Sequence, residues 1–280
     1  MDQICSAAKQ ANISVLLGFS ENENNSLYIS QCAISHTGAI VMKRRKLKPT
    51  HMERTVFGDA SGSSLNNVVE LEGVGRVGAL SCWEHLQPLL KYHTISLREQ
   101  VHVAAWPPLH AFDEKSGGLF GMSAEGRFFF PMNFYAMASD EVLGCANLSQ
   151  TYAMESAAFV LHCTSIMTAA GIAAHRADNN PVFGKTGGGQ SAVYGPDGRR
   201  MTDALPVDQE GFVYAELPMD MLVGLRHFVD PVGHYSRPDM LWLGVDTREK
   251  KHVRTEGNDL DERKGKTMKE VNGLKSEEKV

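Results

Sequence analysis

Cys82 stands where a chain readily presents a nucleophile. It follows the apolar run Arg76-Val77-Gly78-Ala79-Leu80-Ser81, a strand candidate. It precedes Trp83-Glu84-His85-Leu86-Gln87-Pro88-Leu89-Leu90, which reads as a turn into a helix with Pro88 in the first turn. A strand-to-helix turn exposes a side chain at the carboxyl end of the strand, where α/β proteins place their sites. Backbone N–H groups at such a turn lower a thiol pKa and hold an oxyanion. A buried core cysteine fits the same local pattern equally well. Lys46 ends a strand candidate just before Pro49, and Glu53 lies in His51-Met52-Glu53-Arg54-Thr55. By local pattern alone both are solvated charges.

Other chemical signals are weaker. Gly184-Lys185-Thr186 resembles the end of a phosphate-binding loop, but the first glycine of that motif would fall at Asn179. Gly187-Gly188-Gly189 reads as a flexible loop before a strand. The five cysteines, Cys5, Cys32, Cys82, Cys145 and Cys163, are scattered without a CxxC, so neither a disulfide framework nor a zinc site is expected. His85, His102 and His110 raise the possibility of a Cys–His hydrolase. His85 is too near Cys82 in sequence to be diagnostic, and His102 sits in a strand where a satisfied core role fits better.

The elements that must position these residues follow from hydrophobic periodicity. Ile4, Ala7, Ala8 and Ala11 recur at helical spacing. Strands are expected from Ile13 to Gly18, Leu27 to Ser35, Ala39 to Lys46, Val74 to Ser81 and Val101 to Trp106. Glu21 to Asn25 reads as a polar turn, and His36-Thr37-Gly38 as another. Leu148 to Val160 suits a helix, and Phe159 to Thr164 a strand. Ser191 to Tyr194 and Gly211 to Leu217 flank Gly195-Pro196-Asp197-Gly198, a hairpin signal. Strands alternate with helices, so the class is α/β. Residues 1–246 form one expected domain. The remainder, 247–280, is mostly charged and is expected to be disordered.

With 280 residues and 42% hydrophobic content the chain can build a substantial core. Its net charge is −5 (28 − 33), which argues against a nucleic-acid partner despite the basic run Lys43 to Lys48. The start lacks the basic and apolar regions of a secretory signal, and no apolar run reaches membrane-spanning length. A reducing, cytoplasmic setting is expected.

Several separated motifs together resemble one family. Arg45 to Arg54 is similar to the lysine segment of nitrilases. Gly75 to His85 is similar to their nucleophile segment, and Glu99 to Pro107 to the strand that follows. Thr151 to Ser156 and Gly233 to Asp239 also match in order. The resemblance covers nearly everything from Asp2 to about Val253 and points to fungal nitrilases, especially those acting on arylacetonitriles. It implies an α-β-β-α sandwich, with Cys82 as nucleophile, Lys46 as catalytic lysine and Glu53 as a second, positioning glutamate. Trp83 and Trp106 are assigned to substrate binding. The implied reaction converts a nitrile to a carboxylic acid and ammonia through a cysteine thioimidate and thioester. It implies no cofactor or metal, a small-molecule nitrile as partner, no membrane, and association into homo-oligomers. Cyanide hydratase and amide hydrolase chemistry are the enzyme alternatives.

Two departures from the family pattern carry expectations of their own. The catalytic base of nitrilases is a glutamate near the N-terminus, after the second strand, and this chain begins beyond that region. Glu21 and Glu23 occupy the wrong context for that base. The domain is therefore expected to be N-terminally truncated and to turn over little, the alternative being an inactive homologue that only associates with partners. The stretch Arg127 to Gly144, 18 residues (144 − 127 + 1), has no counterpart in the pattern. It is expected to be a retained segment such as an unspliced intron, with a genuine insertion as the alternative.

Overall fold

The computed structural model describes residues 1–108, 144–180, 183–203 and 205–247. The stretch 127–143, His110 and the charged tail beyond Thr247 lie outside the described residues.

The chain opens with helix α1 (Asp2–Ala11), which ends where Asn12 turns left-handed. Strands β1 (Val15–Glu23) and β2 (Ser26–Ile34) pair antiparallel along their whole length. The expected polar turn from Glu21 is shorter than its composition suggests. Only Asn24 and Asn25 leave the strands, both with positive φ (50° and 64°), as a two-residue hairpin turn requires. Glu21 stays in β1 because Arg45, Lys43 and Ser30 all donate to its carboxylate. Strand β3 (Ile40–Arg45) completes a three-stranded antiparallel sheet, β1-β2-β3.

The second sheet has the order β4-β5-β6-β7-β8: β4 (Val68–Leu71), β5 (Gly75–Ser81), β6 (Val101–Trp106), β7 (Phe159–Thr164) and β8 (Ala192–Tyr194). The three central strands are parallel and both edge strands antiparallel. Helix α2 (Pro88–Ser96) and helix α3 (Gly144–Ser156) make the crossovers. Pleating sends alternate residues to opposite faces. Ala79 packs with Ala33 and Met42 of the first sheet, so the two sheets lie face to face. Leu80, Ala104, Trp106 and Val160 point the other way, onto Leu90 and Ile95 of α2 and Tyr152 and Ala153 of α3. On the outside of the first sheet, Ala8 of α1 packs against Cys32 and Ile34. The layers run helix, sheet, sheet, helix, which is the expected α-β-β-α sandwich. Leu80 is wholly buried at its centre, and truncating it to alanine would cost about 2–5 kcal/mol.

Some expectations need correction. The helix expected over Leu148 to Val160 begins earlier and ends at Ser156, because Ala157 adopts φ 48° and starts the turn into β7. The hairpin signal at Gly195 to Gly198 does form a turn, with Gly198 N–H donating to the Gly195 carbonyl. Its return arm, however, is the stretch Arg199–Met201, where Met201 N–H bonds to the Val193 carbonyl. Gly211 to Leu217 forms no strand, and Phe212 and Tyr214 are exposed there. Two further helices, α4 (Ala169–His175) and α5 (Asp220–Phe228), complete the described residues. No helix among the described residues is long and apolar enough to cross a membrane.

Candidate active site

Strand β5 runs out at Ser81 and the chain enters a tight 3₁₀ turn, Cys82–Leu86. Cys82 itself has φ 53°, a left-handed conformation that a non-glycine residue seldom adopts and that collects at functional sites. The turn is held by a capping box: Ser81 N–H donates to Glu84 Oε2 at 2.8 Å. The sulfur thus sits at the carboxyl end of the parallel strands, on the face covered by α2 and α3, and is almost fully buried.

The other expected residues arrive from the first sheet. Lys46 follows the last residue of β3, and its N–H bonds to the Ile29 carbonyl at 2.7 Å. Its side chain is buried, not a member of a solvated run, and its Nζ meets Glu53 Oε2 at 2.6 Å. Glu53 is fixed by a second capping box, in the turn His51–Thr55, where Thr50 N–H donates to the same carboxylate oxygen at 2.6 Å. Glu53 therefore turns inward toward Lys46 and is not the free surface charge that its local sequence suggests.

These charges act on the thiol. Burial pushes the Cys82 pKa up to about 12; the Lys46 ammonium opposes this, the Glu53 carboxylate adds to it, and the backbone N–H of Trp83 at the sulfur lowers it. The resting group is a neutral thiol, so nucleophilic attack requires that a base take its proton.

Two aromatic side chains meet here, Trp83 within the turn and Trp106 at the end of β6. Trp83 and Trp106 meet edge to face, with ring centroids 6.0 Å apart. Trp106 is fixed from behind: its Nε1–H donates to Ser149 Oγ at 3.0 Å, and Ser149 Oγ lies 2.8 Å from His162 Nδ1.

The profile of the family described as Carbon-nitrogen hydrolase matches residues 1–227. The chain belongs to the carbon-nitrogen hydrolases. Among its relatives, an Aspergillus niger protein named Arylacetonitrilase is 54% identical over 259 residues, covering 92% of this chain and 70% of that protein. Among solved structures, a carbon-nitrogen hydrolase from Helicobacter pylori G27 superposes with TM-score 0.60 at 14% identity, over 84% of this chain and 72% of that one. A Saccharomyces cerevisiae member of branch 10 of the nitrilase superfamily gives TM-score 0.56 at 16% identity, over 83% and 69% of the two chains. At such identities the structural likeness concerns the fold.

One feature of this carbon-nitrogen hydrolase was not expected from its sequence. Arg44 and Glu84 form a buried, bidentate ion pair at 2.6 and 2.8 Å, and Glu84 also accepts from the Leu47 N–H at 2.9 Å. Ser81-Cys82-Trp83-Glu84 is an S-x-x-E capping signature, which was the available signal for Glu84. The His85 ring is directed at backbone: its Nδ1 lies 2.7 Å from the Cys82 carbonyl oxygen. A Cys–His pairing through this ring is therefore excluded by its direction. A cavity of about 770 Å³ opens beside the turn, lined by Leu47, Trp83, Leu86, Leu89, Leu90 and His93 among others. It shares Trp83 with the expected site residues but does not reach Cys82, Lys46, Glu53 or Trp106.

Proposed function

We propose that this enzyme hydrolyses nitriles to carboxylic acids and ammonia, with Cys82 as nucleophile, and that arylacetonitriles are its substrate class. The observation that carries the reading is the conjunction at Cys82: a left-handed strand-end thiol acted on by the buried Lys46 and its partner Glu53. The similarity to arylacetonitrilases supports the substrate class.

The chemistry suits these residue types. The nitrile carbon is attacked by sulfur, a soft and strong nucleophile. The carbon–sulfur bond forms as one carbon–nitrogen π bond opens, and the nitrogen gains a proton to give a thioimidate. Water then adds, ammonia leaves, and a thioester remains. A second water releases the acid and restores the thiol, so RCN and two waters become RCOOH and ammonia. Lys46 stabilises the charge that develops on nitrogen and then on oxygen, aided by the backbone N–H groups of the turn. Glu53 holds the lysine in place. Trp83 and Trp106 contact the substrate's apolar part. Of the carboxylates Glu21, Glu53 and Glu84, Glu53 acts on the thiol; Glu21 is bound by Arg45 and Lys43, and Glu84 by Arg44.

The test is product identification after incubation of the purified chain with phenylacetonitrile, phenylacetamide and cyanide in parallel. Phenylacetate and ammonia from the nitrile support the reading. Formamide from cyanide alone would assign a cyanide hydratase, and turnover of the amide alone an amide hydrolase. No product from any of the three would indicate the inactive alternative. Self-association is part of the proposal, since Phe212, Tyr214, Phe228 and Trp242 are all largely exposed.

A further inference from the structure

Behind the Cys82 turn runs a line of polar side chains that the proposed reaction does not use. His85, Glu99, His102 and Tyr152 are all almost completely buried. His85 Nδ1 lies 2.7 Å from the Cys82 carbonyl oxygen, and its Nε2 lies 3.0 Å from His102 Nε2. His102 Nδ1 lies 2.8 Å from Glu99 Oε2, and the Tyr152 hydroxyl donates to Glu99 Oε1. Room for the Glu99 carboxylate exists only because strand β5 has glycine at position 78: a Cβ there would run into Glu99 Oε2.

The direction of each hydrogen bond follows from the end of the line. A carbonyl oxygen can only accept, so His85 Nδ1 must carry a hydrogen. Burial and the neighbouring His102 push the His85 pKa well below its ordinary value, so the ring is neutral and Nε2 is an acceptor. His102 must then donate from its own Nε2. One more proton lies between His102 Nδ1 and Glu99 Oε2, on either partner, and the pattern toward His85 is the same in both cases. The His85 ring has no freedom to turn, since Trp106 stacks on it at 5.1 Å and Tyr152 and His102 meet it edge to face.

We infer that His102, anchored by Glu99, is a positioning residue for Cys82: its Nε2–H fixes the proton of His85 on Nδ1, where it holds the Cys82 carbonyl. This inference rests on the proposed role of Cys82. With the other His85 tautomer, a nitrogen lone pair would face the carbonyl oxygen at hydrogen-bond distance, and repulsion would turn the Cys82–Trp83 peptide. That peptide carries the N–H that contacts the sulfur, and it follows the residue with φ 53°. The line therefore sets the orientation of the attacking group without touching substrate.

The test combines a tautomer measurement with thiol reactivity, both on the full chain. Nitrogen-15 spectra of histidine-labelled protein, with His85 identified by signal loss in His85→Asn, should show His85 protonated at Nδ1. Iodoacetamide labelling of Cys82 should slow about tenfold or more in His102→Leu, because small misplacement of a reacting group carries large rate penalties. His102→Gln, whose amide N–H replaces the Nε2 donor, should stay near the wild-type rate. Where turnover is measurable, His102→Leu should lower kcat and leave KM unchanged. If His102→Leu does not fold, His85 itself gives the same comparison. His85→Asn keeps a donor at the δ position and retains reactivity, whereas His85→Gln does not. A His85 proton found on Nε2, or equal Cys82 reactivity in all these variants, overturns the inference. Activity that survives Cys82→Ala would instead defeat the proposed function, while the tautomer result would stand by itself.

Discussion

Arg44 Nη2 and Glu84 Oε1 lie 2.6 Å apart with both side chains out of water, one at the end of β3 and the other in the turn after β5. Glu84 spends its remaining acceptor capacity on two backbone donors, Leu47 N–H and Ser81 N–H. Those are the neighbours of Lys46 and Cys82. One carboxylate thereby ties together the two sheet ends that carry the site.

Breaking this pair should be costly. Glu84→Gln leaves the Arg44 guanidinium buried without a counter-charge, and loss of one partner of such a pair costs about 3–5 kcal/mol. The midpoint of denaturant unfolding should fall accordingly, and Cys82 labelling in the folded fraction should slow. The double variant Arg44→Met, Glu84→Leu should recover much of the stability but not the reactivity. Recovery of both would show that the pair contributes only to folding.

A second expectation concerns acid. The His162 pKa is depressed from 6.5 to about 3, first by burial and then by the nearby Arg200. Below pH 6.5 the unfolded chain binds a proton that the folded chain refuses, so stability is lost as pH falls from 6.5 toward 3. At about 1.4 kcal/mol per unit, the loss reaches several kcal/mol. His85 shifts in the same direction and adds to it. Thermal unfolding followed from pH 7 to 4 should show a falling midpoint, with a shallower decline in His162→Gln. Equal slopes would remove His162 from the account.

Position 78 should tolerate nothing larger than glycine. In Gly78→Ala the new methyl group must displace the Glu99 carboxylate or the strand, and overpacking of this kind costs about 1–3 kcal/mol. The companion change Glu99→Gln leaves the crowding in place, so it should not rescue. Equal melting temperatures for Gly78→Ala and wild type would contradict the packing described.

Much of the fold was legible because strand burial alternates: Ala79 against Leu80, and Val103 against Ala104, face different layers. Motifs singled out Cys82, Lys46 and Glu53, and Lys46 and Glu53 do meet. Their neighbours were not legible. Arg44 and Glu84 are 40 residues apart, and Glu99 and Tyr152 are 53 apart, so no local pattern pairs them. Gly211 to Leu217 failed for the opposite reason. It has strand-like composition, but among the described residues no strand edge pairs with it, and a strand's hydrogen bonds are made by its partner.

The support behind Trp106 should matter for aryl substrates. Ser149→Ala leaves the Trp106 Nε1–H without its buried acceptor, at a cost of about 1–3 kcal/mol. If Trp106 contacts substrate as proposed, KM for phenylacetonitrile should rise in Ser149→Ala, and Trp106→Phe should restore stability without restoring KM. An unchanged KM in both variants would place Trp106 outside the binding site.

The most direct measurement is a covalent trap. The chain is mixed with phenylacetonitrile, quenched in acid, digested and mapped by mass. The account predicts a phenylacetyl group, as thioester or its thioimidate precursor, on the peptide holding Cys82, absent in Cys82→Ala. It predicts slower accumulation in Lys46→Ala, since the ammonium stabilises the charge formed on attack. An adduct confined to Cys32, Cys145 or Cys163, or phenylacetate formed equally by Cys82→Ala, would contradict it.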